Sequence, residues 1–122
     1  MADPAALFAL AGGSPMEALA LAGEGMDAAW IGALPERVAL GDATPLRGRA
    51  IPRVLELLTK LAHDAMAVTV GGAPRYFPAG KVPPLTDAAA WVAWQRLLVR
   101  TARHEDHPWN AALLIESLVT QA

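Results

Sequence analysis

Residues 52–72 read PRVLELLTKLAHDAMAVTVGG, and their spacing decides the fold. Pro52 suits a first helical turn, where its missing N–H costs no hydrogen bond, and Gly71-Gly72 marks the stop. Between them Val54, Leu55, Leu57, Leu58, Leu61, Ala62, Ala65, Met66 and Val68 recur at helical rather than alternating spacing. The one run that could be a strand, Ala67-Val68-Thr69-Val70, reads as the end of this helix. Glu56, Lys60, His63 and Asp64 form a polar stripe expected to face water. Glu56 precedes Lys60 by four residues, the favourable order for an exposed pair. The apolar arc is much wider than a helix on the surface of a two-layer bundle needs. Either this is the central helix of the domain, or one flank is covered by another chain; the first is preferred.

Toward the N-terminus the punctuation is equally clear. Asp3 and Pro4 open a short helix to about Ala11, and Gly12-Gly13 stops it. Ser14-Pro15-Met16-Glu17 then restarts a helix with the pattern of a capping box, running to about Ala22 before Gly23-Glu24-Gly25. The Gly-Gly-Ser-Pro run has no Gly-Lys-Ser/Thr after it, so a helix–turn–helix corner is preferred over a phosphate loop. A third helix starts near Asp27 and carries Trp30, Ile31 and Leu34; Pro35 predicts a kink or restart before about Leu40. Residues 41–49 read as a loop with one short turn.

Toward the C-terminus, residues 71–85 hold prolines and glycines that forbid regular structure. Tyr76 and Phe77 sit in the middle of that stretch and are expected to pin it onto the bundle, with an aromatic ligand groove as the alternative. Thr86 is expected to cap a helix running to about Glu105. Trp91, Trp94, Leu97, Leu98 and Ala102 make one face of it, and Arg96, Arg100 and Arg103 the other. His104 to Pro108 breaks it, and Asn110 caps a last helix over 111–120 with Leu113, Leu114, Ile115, Leu118 and Val119 as its apolar set.

Composition agrees. The chain has 122 residues, 54% hydrophobic and 18% charged, which suits one domain with a packed core and excludes disorder. Charges, Gly or Pro cut every apolar stretch short of a membrane span, and nothing at the start resembles a signal peptide. The absence of cysteine excludes disulfides, thiolate nucleophiles and Cys-ligated zinc. A net charge of −2 argues against a domain whose main task is gripping phosphate backbones. The expectation is an all-α, single-domain bundle of five to seven helices, cytoplasmic, with no membrane contact.

Little in the chain points to chemistry. His104 and His107, with Glu105 and Asp106 between them, have the residue types of metal ligands but fall at a helix-ending corner. His63 and Asp64 are neighbours on a helix and so diverge by about 100°, which favours a solvated stripe over an acid–base pair. No serine or threonine sits in a nucleophile elbow. No catalytic, cofactor-binding or metal residue is expected, nor a small-molecule substrate. The arginine stripe and the tryptophans instead suit a partner with an acidic patch.

Four stretches carry a family resemblance. Leu10-Ala11-Gly12-Gly13-Ser14-Pro15, followed by Ala18-Leu19-Ala20-Leu21-Ala22, resembles the opening of the C-terminal domain of the bacterial DNA polymerase III delta prime subunit. The run 57–64, LLTKLAHD, is similar to that domain's long helix, and 72–78, GAPRYFP, to a segment of proteobacterial versions. Residues 107–118, HPWNAALLIESL, resemble the family's closing helix. The resemblance implies a helical collar domain that joins gamma/tau and delta subunits into the pentameric clamp loader and meets DNA only through the assembled complex. It also implies that the chain corresponds to the C-terminal part of a longer subunit, without its ATPase modules.

A ring contact is heterologous, so each domain should offer two different patches. One is expected around Trp91, Trp94, Arg96, Arg100 and Arg103, the other on the final helix with Leu114 and Leu118. The rivals are a ligand-binding or enzymatic bundle with a pocket walled by Tyr76, Phe77 and Trp109, and a helical DNA-binding module.

Overall fold

Side-chain caps and terminal glycines divide the chain into its helices, as seen in a computed structural model that describes residues 4–85, 88–103, 115 and 118–120. The order is α1 (Pro4–Leu10), α2 (Pro15–Gly23), α3 (Ala28–Ala39), a single 3-10 turn (Thr44–Leu46), α4 (Ile51–Thr69) and α5 (Ala88–Arg103). Ile115 and residues 118–120 are helical too. Every regular element among the described residues is a helix, as expected of the all-α class. None of their helices is long and apolar enough to cross a membrane.

Ser14 caps α2 by accepting from Glu17 N at 3.2 Å, and Asp27 caps α3 by accepting from Trp30 N at 2.8 Å. The capping box is only half made, because the Glu17 carboxylate turns away to Arg53. The stop signals share one geometry. At the end of α4, Gly72 N donates to Ala67 O at 2.7 Å and Gly71 N to Val68 O at 3.1 Å. Gly71 takes a φ of 87°, a left-handed conformation that a side chain would strain. The same paired bonds close α1 at Gly12-Gly13, α2 at Gly25-Met26 and α3 at Gly41-Asp42. Thr86, the expected cap of α5, lies outside the described residues.

Pro35 does not restart α3; the helix is continuous from Ala28 to Ala39 with the proline inside it. Proline removes the donor for the Ile31 carbonyl. Burial of Ile31, Leu34, Pro35 and Val38 along one face holds the helix against that loss.

α4 is the central helix. Val54, Leu55, Leu57, Leu58, Leu61, Ala62, Asp64 and Ala65 are all buried by the chain itself, so the wide apolar arc needs no second chain to cover it. Each buried leucine stabilises the fold by about 1.5–3 kcal/mol relative to exposure. α5 packs on α4, while α1 packs on α2 and α3.

Much of the polar stripe of α4 is likewise spent internally, although His63 stays exposed. Lys60 Nζ donates to Leu10 O at 2.6 Å and to Glu56 at 2.9 Å, so this pair ties α1 to α4 rather than facing solvent. Arg53 donates to both Glu24 oxygens, from Nε at 3.1 Å and Nη2 at 2.8 Å, and to Glu56 at 2.6 Å; its Nη1 also meets Glu17. The hydrogen bonds to Glu24, ahead of that to Glu17, hold this guanidinium protonated more firmly than an ordinary arginine. α2 is thereby riveted to α4.

Candidate interaction surface

α5 separates its tryptophans from its arginines, but not in the way an all-surface patch requires. Trp94 is buried, and its Nε1 donates to Leu118 O at 2.9 Å. Leu118 and Ile115 are fully buried beside the same core. The expectation that Trp94 and Leu118 face a neighbouring subunit is therefore corrected: they join the final helical residues to α5 inside the chain. An indole is large enough to fill that gap, and its one N–H needs an acceptor once buried. Trp91 is half-buried, with Nε1 donating to Ala62 O on α4 at 3.1 Å. Leu114 lies outside the described residues, and so does the side chain of Arg103 at the end of α5.

The solvent face of α5 is a different set. Arg96 and Arg100 are exposed, as expected, and Val92 at 41% and Val99 at 50% are exposed with them. Positions 92, 96, 99 and 100 follow the spacing of one helix face. Gln95, Arg96, Val99 and Arg100 line a shallow cleft of about 390 Å³ on it. α5 contains no Asp or Glu, so its guanidiniums find no carboxylate along their own helix. Such a face can hold apolar surface and anionic groups together.

A second feature was legible only in part. Asp64, placed in a solvated stripe by its sequence, is 0% exposed. Its Oδ1 accepts from Arg75 N at 2.9 Å, and its Oδ2 from Tyr76 N and Phe77 N, each at 2.8 Å. His63 Nδ1 lies 3.0 Å from Oδ1, so these neighbours do meet, at the point where the 71–85 segment lands on α4. The carboxylate supplies the acceptors that an irregular backbone lacks.

Phe77 is buried, and Tyr76 packs edge-on to His63 at 5.5 Å with Lys60 Nζ 5.2 Å from its ring. The two aromatics pin the loop onto α4, as preferred from sequence. Thr69 fastens the far end by accepting from Leu85 N at 2.8 Å. Trp109, the third wall of the rival pocket, and the His104–His107 pair lie outside the described residues.

Sequence reasoning placed α2 but missed its exposed apolar face. Met16 and Leu19, three residues apart on its outer face, are 82% and 74% exposed. The signal was present: apart from Glu17, residues 15–23 are apolar or small on every side, more than one buried face can absorb. No family model matches the chain, and no curated protein or solved structure matches it either.

Proposed function

We propose that this chain is a non-catalytic assembly domain of the cytoplasm. In this reading it acts as the collar-like C-terminal domain of a delta prime type clamp-loader subunit and joins gamma/tau and delta. DNA is reached only through the assembled complex. The observation that carries the reading is the outer face of α5, where Val92 and Val99 stand exposed among Arg96 and Arg100. Exposed apolar residues on a monomer are normally scattered singly, whereas apolar area interleaved with arginine is the composition of a protein–protein contact. The resemblance of the four stretches 10–22, 57–64, 72–78 and 107–118 to that family is what suggests the neighbours.

The test is co-elution in gel filtration of the chain with gamma/tau and with delta. Arg96→Glu with Arg100→Glu and Arg103→Glu should weaken assembly at least about tenfold while the circular dichroism stays unchanged. Undiminished co-elution removes the α5 face from the contact. An unaltered chain that joins neither subunit overturns the reading.

A further inference from the structure

His63 and Asp64 form a unit that an assembly role leaves unused. Three backbone N–H groups bind the Asp64 carboxylate: Arg75 N reaches Oδ1 at 2.9 Å, and Tyr76 N and Phe77 N reach Oδ2 at 2.8 Å each. With His63 Nδ1 at 3.0 Å from Oδ1, the roughly four lone-pair positions of a carboxylate are all taken. A carboxylate donates no hydrogen, so this last contact needs the imidazole proton on Nδ1. In the neutral ring that leaves the free lone pair on Nε2. Nε2 has no hydrogen-bond partner among the described residues, and the His63 side chain is 54% exposed above a fully buried Asp64. Tyr76 packs against the imidazole as well, with the centroids 5.5 Å apart. A buried carboxylate and an aromatic ring thus fix the tautomer and leave one imidazole nitrogen open as a nucleophile.

The charges beside it select the electrophile. Lys60 Nζ and Arg75 Cζ lie 5.2 and 5.3 Å from the centroid of that same Tyr76 ring. Lys60 is shared with Glu56 and the Leu10 carbonyl. Arg75 is exposed, and its guanidinium meets no carboxylate among the described residues. A guanidinium with its donors free pairs best with the oxygens of a phosphoryl group. From this arrangement we infer that His63 Nε2 is a phosphoryl-acceptor site, loaded from a donor with a phosphorus–nitrogen bond, and that Arg75 receives the transferred group. The Nε2 lone pair forms the new N–P bond as the donor's P–N bond breaks, and that electron pair leaves on the donor's nitrogen. With phosphoramidate the leaving group is ammonia. One N–P bond replaces another, so the exchange is reversible. Nδ1 keeps its hydrogen throughout, and the positive charge that the ring gains lies against the Asp64 carboxylate. No residue of α5 takes part, so the inference stands or falls independently of the proposed function.

Potassium phosphoramidate is the probe, applied to the intact chain at mildly alkaline pH, where imidazole is neutral. Nitrogen NMR of the parent should place the proton on Nδ1 of His63, a readout that a merely structural Asp64 would not set. Phosphorus NMR and mass mapping should find an acid-labile phosphoryl group on His63 Nε2. It should form at least about tenfold faster there than on His104, His107 or free N-acetylhistidine. His63→Gln should abolish that product, and Arg75→Ala should slow it at least about threefold with an unchanged Tm, since both side chains are exposed. A parent proton on Nε2, phosphorylation at Nδ1, or a His63 rate no greater than that of N-acetylhistidine would overturn the inference. An Arg75→Ala chain loaded as fast as the parent would overturn the choice of a phosphoryl group.

Discussion

Replacing Asp64 with alanine should cost the fold about 3–4 kcal/mol, a large share of the stability of a domain this size. The figure follows from the bonds that Asp64 receives. Three backbone N–H groups, of Arg75, Tyr76 and Phe77, would lose their acceptor together. A donor left buried without a partner costs about 1–3 kcal/mol, and a donor that water can reach costs less. The Phe77 bond is buried, so that N–H pays near the upper end; the other two are part-buried and regain some hydration. The three effects act at one landing point and are not strictly additive.

Asp64→Asn is the sharper variant. Its one remaining oxygen can serve either Arg75 or the Tyr76–Phe77 pair, and its amide donors then face the N–H groups left over. A loss of about 2–3 kcal/mol is expected despite nearly unchanged volume. Urea denaturation should show the midpoint falling at constant slope, and heating should show a Tm lower by roughly 10–15 °C for the alanine variant. Hydrogen exchange at Phe77 N should accelerate ahead of the helix core. His63→Ala, which removes a largely exposed ring, should cost less than about 1 kcal/mol. A loss below about 1 kcal/mol for Asp64→Ala, with unchanged exchange at residues 75–77, would refute the reasoning.

Two further outcomes follow from the same accounting of polar groups. Trp94→Phe keeps most of the buried ring but removes the indole donor to the Leu118 carbonyl, and should destabilise by about 1–2 kcal/mol. Trp94→Ala should cost about 3–5 kcal/mol; equal stability of the phenylalanine variant and the parent in urea would dismiss the hydrogen bond. Asp42 is held below its ordinary carboxyl value of 3.8, first by the Thr44 side chain and then by the Thr44 backbone, whose N–H lies at 3.0 Å. A depressed carboxyl stabilises above its unfolded value, so this contribution is complete at neutral pH and disappears as acid carries the pH down through the lowered value. Proton titration followed by NMR should place Asp42 below 3.8, and Thr44→Ala should move it back up. An unshifted titration in the parent chain would overturn that assignment.

Local signals in the sequence were strong wherever the physics is local. Ser14, Asp27 and the terminal glycines act on backbone groups within five residues, so the boundaries of α1 to α4 fall within two residues of their expected places. The helical period of 52–71 needed only its own apolar spacing, and the all-α class followed from it. Tyr76 and Phe77 announced a pinned loop because aromatic rings must be buried somewhere.

The tertiary structure alone decided how those faces are spent. Asp64 looked like any solvated carboxylate, because its partners lie 11 to 13 residues away in a segment with no periodicity. The Glu56–Lys60 pair looked exposed, because Leu10 and Arg53's other carboxylates are invisible to an i, i+4 rule. Trp94 and Val99 both sit on an apolar-rich helix, yet one fills the core and the other meets water. Helical spacing states which residues share a side; only packing against distant elements states which side is left over, and the leftover side is where a partner can bind.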